Sequence, residues 1–301
     1  MSEARPRWMR FARSLAMPDC TMPDTPPRPW ADLPLHAAQS VVGVFTDIDD
    51  TLTTAGAVTA DARDALRQLA DAGLPVIAIT GRPLGWSEAF MRPGPAAWPL
   101  DAIVAENGAV ALFIERGRLV TEYAQDAATR ARHALRLRDV AGRVLRAVPG
   151  ATLARDSPGR ATDIAIDHAE FAQLAPAQID AVVALMRAEG MNATVSSIHV
   201  NGWFGTHTKL SGAAWMLQRR FGRDLQAERE RWVYVGDSTN DQAMFGHFAL
   251  SVGVANLLDC ADALEVWPSY LTRGARGAGF AEVAQRLLAA RAPLKRAPTG
   301  P

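Results

Sequence analysis

Lysine is nearly missing from this chain of 301 residues. Lys209 and Lys295 are its two copies, and arginine supplies the rest of the 32 basic side chains. An internal lysine in such a background draws attention to its position. Acidic side chains also number 32, so the net charge is zero. That balance gives no electrostatic case for nucleic acid or an anionic membrane as the main partner. The two cysteines, Cys20 and Cys260, make neither a disulfide framework nor a thiolate metal cluster. They fit a reducing, cytoplasmic setting. No apolar run is long enough to span a bilayer.

About half of the residues are apolar, 49%, enough for one large or two modest domains with real cores. Residues 1–38 are rich in Arg and Pro and lack periodicity. They read as a disordered tail, or as sequence upstream of the native start, and "FARSLAM" is a poor core for a signal peptide. The Pro-rich end, residues 293–301, reads as a second tail.

From Val41 the pattern is regular. "VVGVFTD" has the length and apolarity of a strand buried on both faces of a parallel sheet. "TADARDALRQLADAG" has helical spacing at Ala62, Leu66 and Leu69, with Thr59 or Asp61 to start it and Gly73 to stop it. "LPVIAIT" is the next buried strand, which completes a βαβ unit. "DAIVAENG" follows, and then the rhythm changes. A hairpin turns at Arg116-Gly117, an arginine-rich helix runs from about Ala127 to Ala147, and short strands flank a helix that begins at a Pro. After Gly205 the parallel rhythm returns. It comprises a helix from about Lys209 to Phe221, the strand "RWVYVGD", a helix after Thr239, the strand "ALSVGV" and a last helix. The expected architecture is α/β: a Rossmann-like parallel-sheet core, residues 39–84 and 204–292, interrupted by an α+β cap at residues 85–203.

Asp47, Thr80 and Asp237 each follow an apolar strand, and ligands of open parallel sheets bind beyond the carboxyl ends of strands. Lys209 opens a helix shortly before the Asp237 strand. Asp47, Asp49 and Asp50 crowd into "DIDDT". Gathered carboxylates repel unless a cation sits among them. Oxygen donors without His or Cys suit Mg2+, which often shares its shell with substrate phosphate. Taken alone, "DIDDT" reads equally well as a turn or helix cap. Asn240 and Asp241 can likewise serve simply to satisfy free amides at a helix start.

"DIDDT", "TGR", a lone Lys and "GDSTND", in that order over about residues 41–290, resemble the four motifs of the haloacid dehalogenase superfamily of aspartate-nucleophile phosphatases. The large insert between the second and third motifs, and "ENGA" after the third strand, are similar to the subgroup with a big α/β cap, which includes sucrose-phosphate phosphatase. The resemblance implies a nucleophile at Asp47 and an acid–base at Asp49. It implies Mg2+ held by Asp47, the Asp49 carbonyl and Asp237, with Asp241 orienting a ligand of the ion without touching it. Thr80, the Gly81 amide, Lys209 and Asn240 would bind the phosphoryl group. One departure is Asp50, where many relatives have Gly; it is expected to be harmless if that position needs no positive φ.

The implied reaction is hydrolysis of a small phosphorylated metabolite, a sugar phosphate by analogy with the subgroup. A phosphomutase is the alternative enzyme, and a non-catalytic phospho-acceptor or binding protein the alternative class. Arg82 is a candidate for a second anion or for a salt bridge to the cap. His199, Asn201 and Trp203 are candidates for contact with a hydroxyl-rich leaving group, or else packing residues of a cap strand. His207 is expected to face solvent, and "RLRDVAGRVLR" to be a solvated helix face.

Overall fold

The computed structural model describes residues 26–291. Residues 28–123 supply β1 (Arg28–Pro29), β2 (Gly43–Thr46), β3 (Val76–Ile79), β4 (Ala102–Ala105), β5 (Val110–Glu115) and β6 (Arg118–Tyr123). They also supply helices α1 (Leu35–Ser40), α2 (Ala60–Asp71) and α3 (Leu84–Met91). Residues 127–203 supply α4 (Ala127–Ala147), β7 (Thr152–Leu153), β8 (Asp163–Asp167), α5 (Pro176–Ala188), β9 (Asn192–Val195) and β10 (His199–Trp203). The chain then gives α6 (Lys209–Phe221), α7 (Leu225–Glu228), β11 (Trp232–Gly236), α8 (Gln242–His247), β12 (Leu250–Gly253), β13 (Tyr270–Leu271) and α9 (Arg276–Arg291).

Nine strands form one sheet in the order β1-β13-β12-β11-β2-β3-β4-β5-β6. The pairs from β1 to β4 are parallel, while β5 and β6 are added antiparallel. Strands β2, β3, β4 and β11 are buried along their whole lengths, as apolar strands covered by helices on both faces must be. One face packs on Leu66 and Leu69 of α2 and Phe280 and Leu287 of α9. The other packs on Ala213, Met216 and Leu217 of α6 and Met244 and Phe245 of α8. A second sheet, β7-β8-β10-β9, carries its own core with α4 and α5, built on Val144, Ile166, Val182, Met186 and Val200.

The core and cap architecture is therefore the one expected, with two boundaries shifted. The cap begins after β6, near residue 125, and not at 85. Helix α3 and strands β4 to β6 belong to the core because the hairpin pairs onto β4. The second shift is at the amino end. Residues 28–38 are not a tail. β1 pairs in parallel with β13, and Trp30 and Leu33 are fully buried in the core cluster, Trp30 edge-on to Tyr270 at 5.4 Å between ring centroids. A two-residue edge strand ending in Pro is compatible with a sheet border, where the missing N–H costs nothing. Residues 1–25 of the tail expected at 1–38, and the tail expected at 293–301, lie outside the described residues.

Local signals hold closely. Arg116 and Gly117 both take positive φ, 51° and 75°, the pair of left-handed residues that a type I′ hairpin needs. Gly73 ends α2 at φ 70°. Helix α4 matches the expected limits, and the first of the short strands after it is only Thr152–Leu153. No described helix is long and apolar enough to cross a membrane.

Candidate active site

The carboxyl ends of β2, β3 and β11 lie side by side, because β3 and β11 flank β2 in register. That places Asp47, Thr80 and Asp237 at one edge. Helix α6 opens there too. Thr208 caps it by accepting the Ser211 amide, and Lys209 is its first residue.

Lys209 is buried and threads into the acidic group. Its Nζ lies 2.8 Å from Asp47 Oδ1, 2.8 Å from Asp241 Oδ1 and 3.0 Å from Asn240 Oδ1. One ammonium thus uses its three donors on three acceptors. Burial opposes its charge, but the Asp241 and Asp47 carboxylates win and hold its pKa above the usual lysine value. Asp241 is saturated. Oδ1 also accepts from Tyr234 Oη, and Oδ2 accepts the amides of Asp237 and Ser238 at 3.0 and 3.2 Å. The fold back toward β11 requires Gly236, where a Cβ would stand 2.5 Å from the Asp241 carboxylate.

Asp47 Oδ2, in contrast, accepts no hydrogen bond among the described residues. Asp237 is held by Thr51 Oγ1 at 2.9 Å and Asn256 Nδ2 at 3.3 Å. Carboxylate oxygens of Asp47, Asp237 and Asp241 lie within 4.8 Å of one another, all buried. Burial pushes the Asp47 carboxyl up to about 7, with Lys209 pulling against it and the Asp241 charge adding to it. Burial, then the Asp47 and Asp241 charges, raises Asp237 well above the usual carboxylate range. One lysine does not neutralise three buried acids. The remaining negative charge and the all-oxygen donors fit a hard divalent cation such as Mg2+, with Asp47 and Asp237 free to ligate and Asp241 already spent on Lys209, Tyr234 and two amides.

The turn after β3 carries the expected phosphate-binding pair, Thr80 and Gly81. Thr80 is fully buried and its Oγ1 accepts the Arg82 amide at 3.0 Å. The Gly81 amide makes no hydrogen bond among the described residues, while the Gly81 carbonyl is taken by Arg160 at 2.9 Å and Asn201 at 3.3 Å. Asp49 does not join the Lys209 network; Arg82 holds its carboxylate at 2.9–3.0 Å. Arg82 also bonds Asp156 and Glu170 of the cap, so the salt bridge to the cap is the reading that the structure favours.

Other expectations need correction. Asp50 sits at φ 53°, so its position does need a positive φ. Asp enters that region more readily than most side chains. It is further held there by Arg276 Nε on its carboxylate at 2.8 Å and Asn256 Nδ2 on its carbonyl. His207 does not face solvent; it is buried against Trp203 with 5.7 Å between ring centroids. Burial pushes its pKa down to about 4, aided by His133. His199, Asn201 and Trp203 are buried too. Their polar atoms go to Glu170, to Asp163 with the Gly81 carbonyl, and to the His207 carbonyl.

None of these three lines the cleft between core and cap, which has a volume of about 620 Å³. Hydroxyls and amides line it instead, among them Ser196, Ser238, Thr239 and Asn256, together with Asp237 and with Ile179 and Val183 of α5. Among the residues missed in the sequence, Glu106 of "ENGA" is the clearest. Fully buried, its carboxylate accepts the amides of Leu84, Ala161 and Thr162 and the Thr162 hydroxyl, so it ties the β4–β5 turn to the cap.

Residues 44–135 match the family model described as haloacid dehalogenase-like hydrolase. No curated protein matches the chain. Solved structures share the fold over most of its length. Protein 0175 of Thermoplasma acidophilum is 14% identical with a TM-score of 0.62, covering 82% of this chain and 98% of its own. The sucrose-phosphatase of Synechocystis, solved with sucrose and phosphate, is 16% identical with a TM-score of 0.59, covering 82% and 97%. A haloacid dehalogenase-like hydrolase from B. subtilis is 16% identical with a TM-score of 0.57, covering 80% and 98%. The family match and the shared fold bear out the resemblance to haloacid dehalogenase-like hydrolases with an inserted α/β cap.

Proposed function

We propose that the chain is a Mg2+-dependent phosphatase, acting in the cytoplasm on a small phosphorylated metabolite through an aspartyl-phosphate. The observation that carries this reading is the Lys209 bridge from Asp47 to Asp241, beside a buried Thr80 and an open Gly81 amide.

In the first step an Asp47 carboxylate oxygen attacks phosphorus. A P–O(Asp47) bond forms, the P–O bond to the leaving group breaks, and Asp49 gives its proton to the departing oxygen. In the second step water attacks the same phosphorus, Asp49 takes its proton, and the P–O(Asp47) bond breaks. Phosphate leaves and both carboxyls return to their starting states. Lys209, Thr80 and the Gly81 amide offset charge on the phosphoryl oxygens, and the burial of Thr80 and Lys209 strengthens these interactions. Asn240, whose oxygen is held by Lys209, presents its amide group as a further donor. Bound at Asp47, the Asp49 carbonyl and Asp237, Mg2+ would supply charge for the phosphoryl group as a Lewis acid.

A sugar phosphate suits the cleft. Five serine and threonine hydroxyls, the Gln242 and Asn256 amides and the Asp50, Asp180, Asp237 and Asp259 carboxylates line it, so hydroxyl groups of a leaving group find partners. The test is phosphate release from a panel of phosphorylated metabolites with Mg2+, repeated with Asp47→Asn. Turnover should fall more than about a hundredfold in the variant, since even single acid–base groups are worth 10² or more. A variant that keeps more than about a hundredth of the rate would overturn the nucleophile.

A further inference from the structure

Arg82 is shared between the core and the cap. Its side chain is 7% exposed, and the Trp86 ring lies 5.1 Å from its guanidinium carbon. Nε lies 3.0 Å from both Asp49 oxygens and Nη2 lies 2.9 Å from Oδ1. The same group reaches two cap carboxylates, with Nη1 3.2 Å from Asp156 and Nη2 2.7 Å from Glu170. Glu170 in turn is 2.9 Å from His199 Nε2. Asp167, Glu170 and His199 come close enough to suggest a metal site. Each oxygen there is already engaged, however, because Asp167 accepts the amides of Glu170 and Phe171.

A guanidinium is planar and rigid, and its donors point in fixed directions. Where the cap places Asp156 and Glu170 therefore sets the plane of Arg82, and that plane sets the Asp49 carboxylate. Resting on the reading of Asp49 as acid–base, we propose that Asp156 and Glu170 are positioning residues. Acting through Arg82, they hold Asp49 in the orientation that serves the leaving oxygen, so that proton transfer is assembled only when the cap is closed.

Leaving-group dependence tests this. A weakly basic leaving group such as 4-nitrophenolate departs without a proton, whereas phenolate needs one. With saturating Mg2+, kcat/KM is measured for both aryl phosphates on the full chain and on Glu170→Gln, Asp156→Asn and Asp49→Asn. The two cap variants should lose about tenfold on phenyl phosphate and less than about threefold on 4-nitrophenyl phosphate, a fraction of the 10²–10⁴ that a general acid supplies. Asp156→Asn leaves the Glu170–His199 pair in place, so it reports even if Glu170→Gln folds poorly. Equal losses on both substrates, or no loss in either cap variant, would overturn the proposal while leaving the phosphatase reading intact. A normal substrate ratio in Asp49→Asn would overturn both the proposal and the acid–base role of Asp49. It would leave the Asp47 nucleophile untouched.

Discussion

Removing Mg2+ should destabilise the protein at pH 8 and hardly at all at pH 5. The sign follows from Asp47, whose pKa rises from 3.8 to about 7 through burial, against the pull of Lys209. Between those values the folded apo protein keeps a proton that the unfolded chain releases. Stability of the apo form due to this group therefore falls as pH rises from about 4 to 7. Mg2+ replaces that proton, so its benefit grows across the same window. Asp237, raised in the same direction, steepens the change. At pH 8, Mg2+ at about 100 times its Kd stabilises by ~2.7 kcal/mol, or about 5–10 °C in Tm at roughly 2–4 °C per kcal/mol. Two pH units below 7, proton competition weakens binding about a hundredfold. At the same Mg2+ concentration the gain drops to ~0.4 kcal/mol, or about 1 °C. The assay is thermal unfolding in Mg2+ against EDTA from pH 5 to 8. The difference cancels groups far from the cluster, such as His207, whose depressed pKa of about 4 makes stability rise with pH from about 4 to 6.5. A Mg2+ shift that is flat with pH, or that persists in Asp237→Ala, would refute the assignment.

Two further expectations concern the frame. Trp30→Ala should cost about 3–5 kcal/mol, read by denaturant unfolding, because a fully buried indole packed edge-on to Tyr270 leaves a cavity in the core. Glu106→Gln should speed amide exchange at Ala161 and Thr162 by roughly tenfold or more, since an amide cannot accept all the hydrogen bonds that the carboxylate takes.

The core was legible because its signals are local. β2, β3 and β11 are apolar runs buried on both faces, and each is followed by a polar residue, Asp47, Thr80 or Asp237, at the shared sheet edge. Lys209 was legible through the scarcity of lysine. The cap boundary was not, because whether the β5–β6 hairpin joins the core or the cap depends on pairing with β4 and not on its own pattern. Trp30 and Leu33 were lost among prolines; two buried side chains suffice to anchor a segment that shows no periodicity. His199, Asn201 and Trp203 have the chemistry of sugar contacts, yet the fold spends it on Glu170, Asp163 and His207. Arg82 meets Glu170 across 88 residues, a partnership that no spacing announces.

The most direct measurement is to trap the intermediate. Asp49→Asn removes the group that activates water but spares the attack by Asp47 on a phosphate with a good leaving group. Mixed with 4-nitrophenyl phosphate and Mg2+, quenched in acid and digested, the variant should carry a phosphoryl group on the peptide that contains Asp47, and hydroxylamine should remove it. A phosphoryl group on another residue, or none at any time while 4-nitrophenol is released, would contradict an aspartyl-phosphate at Asp47.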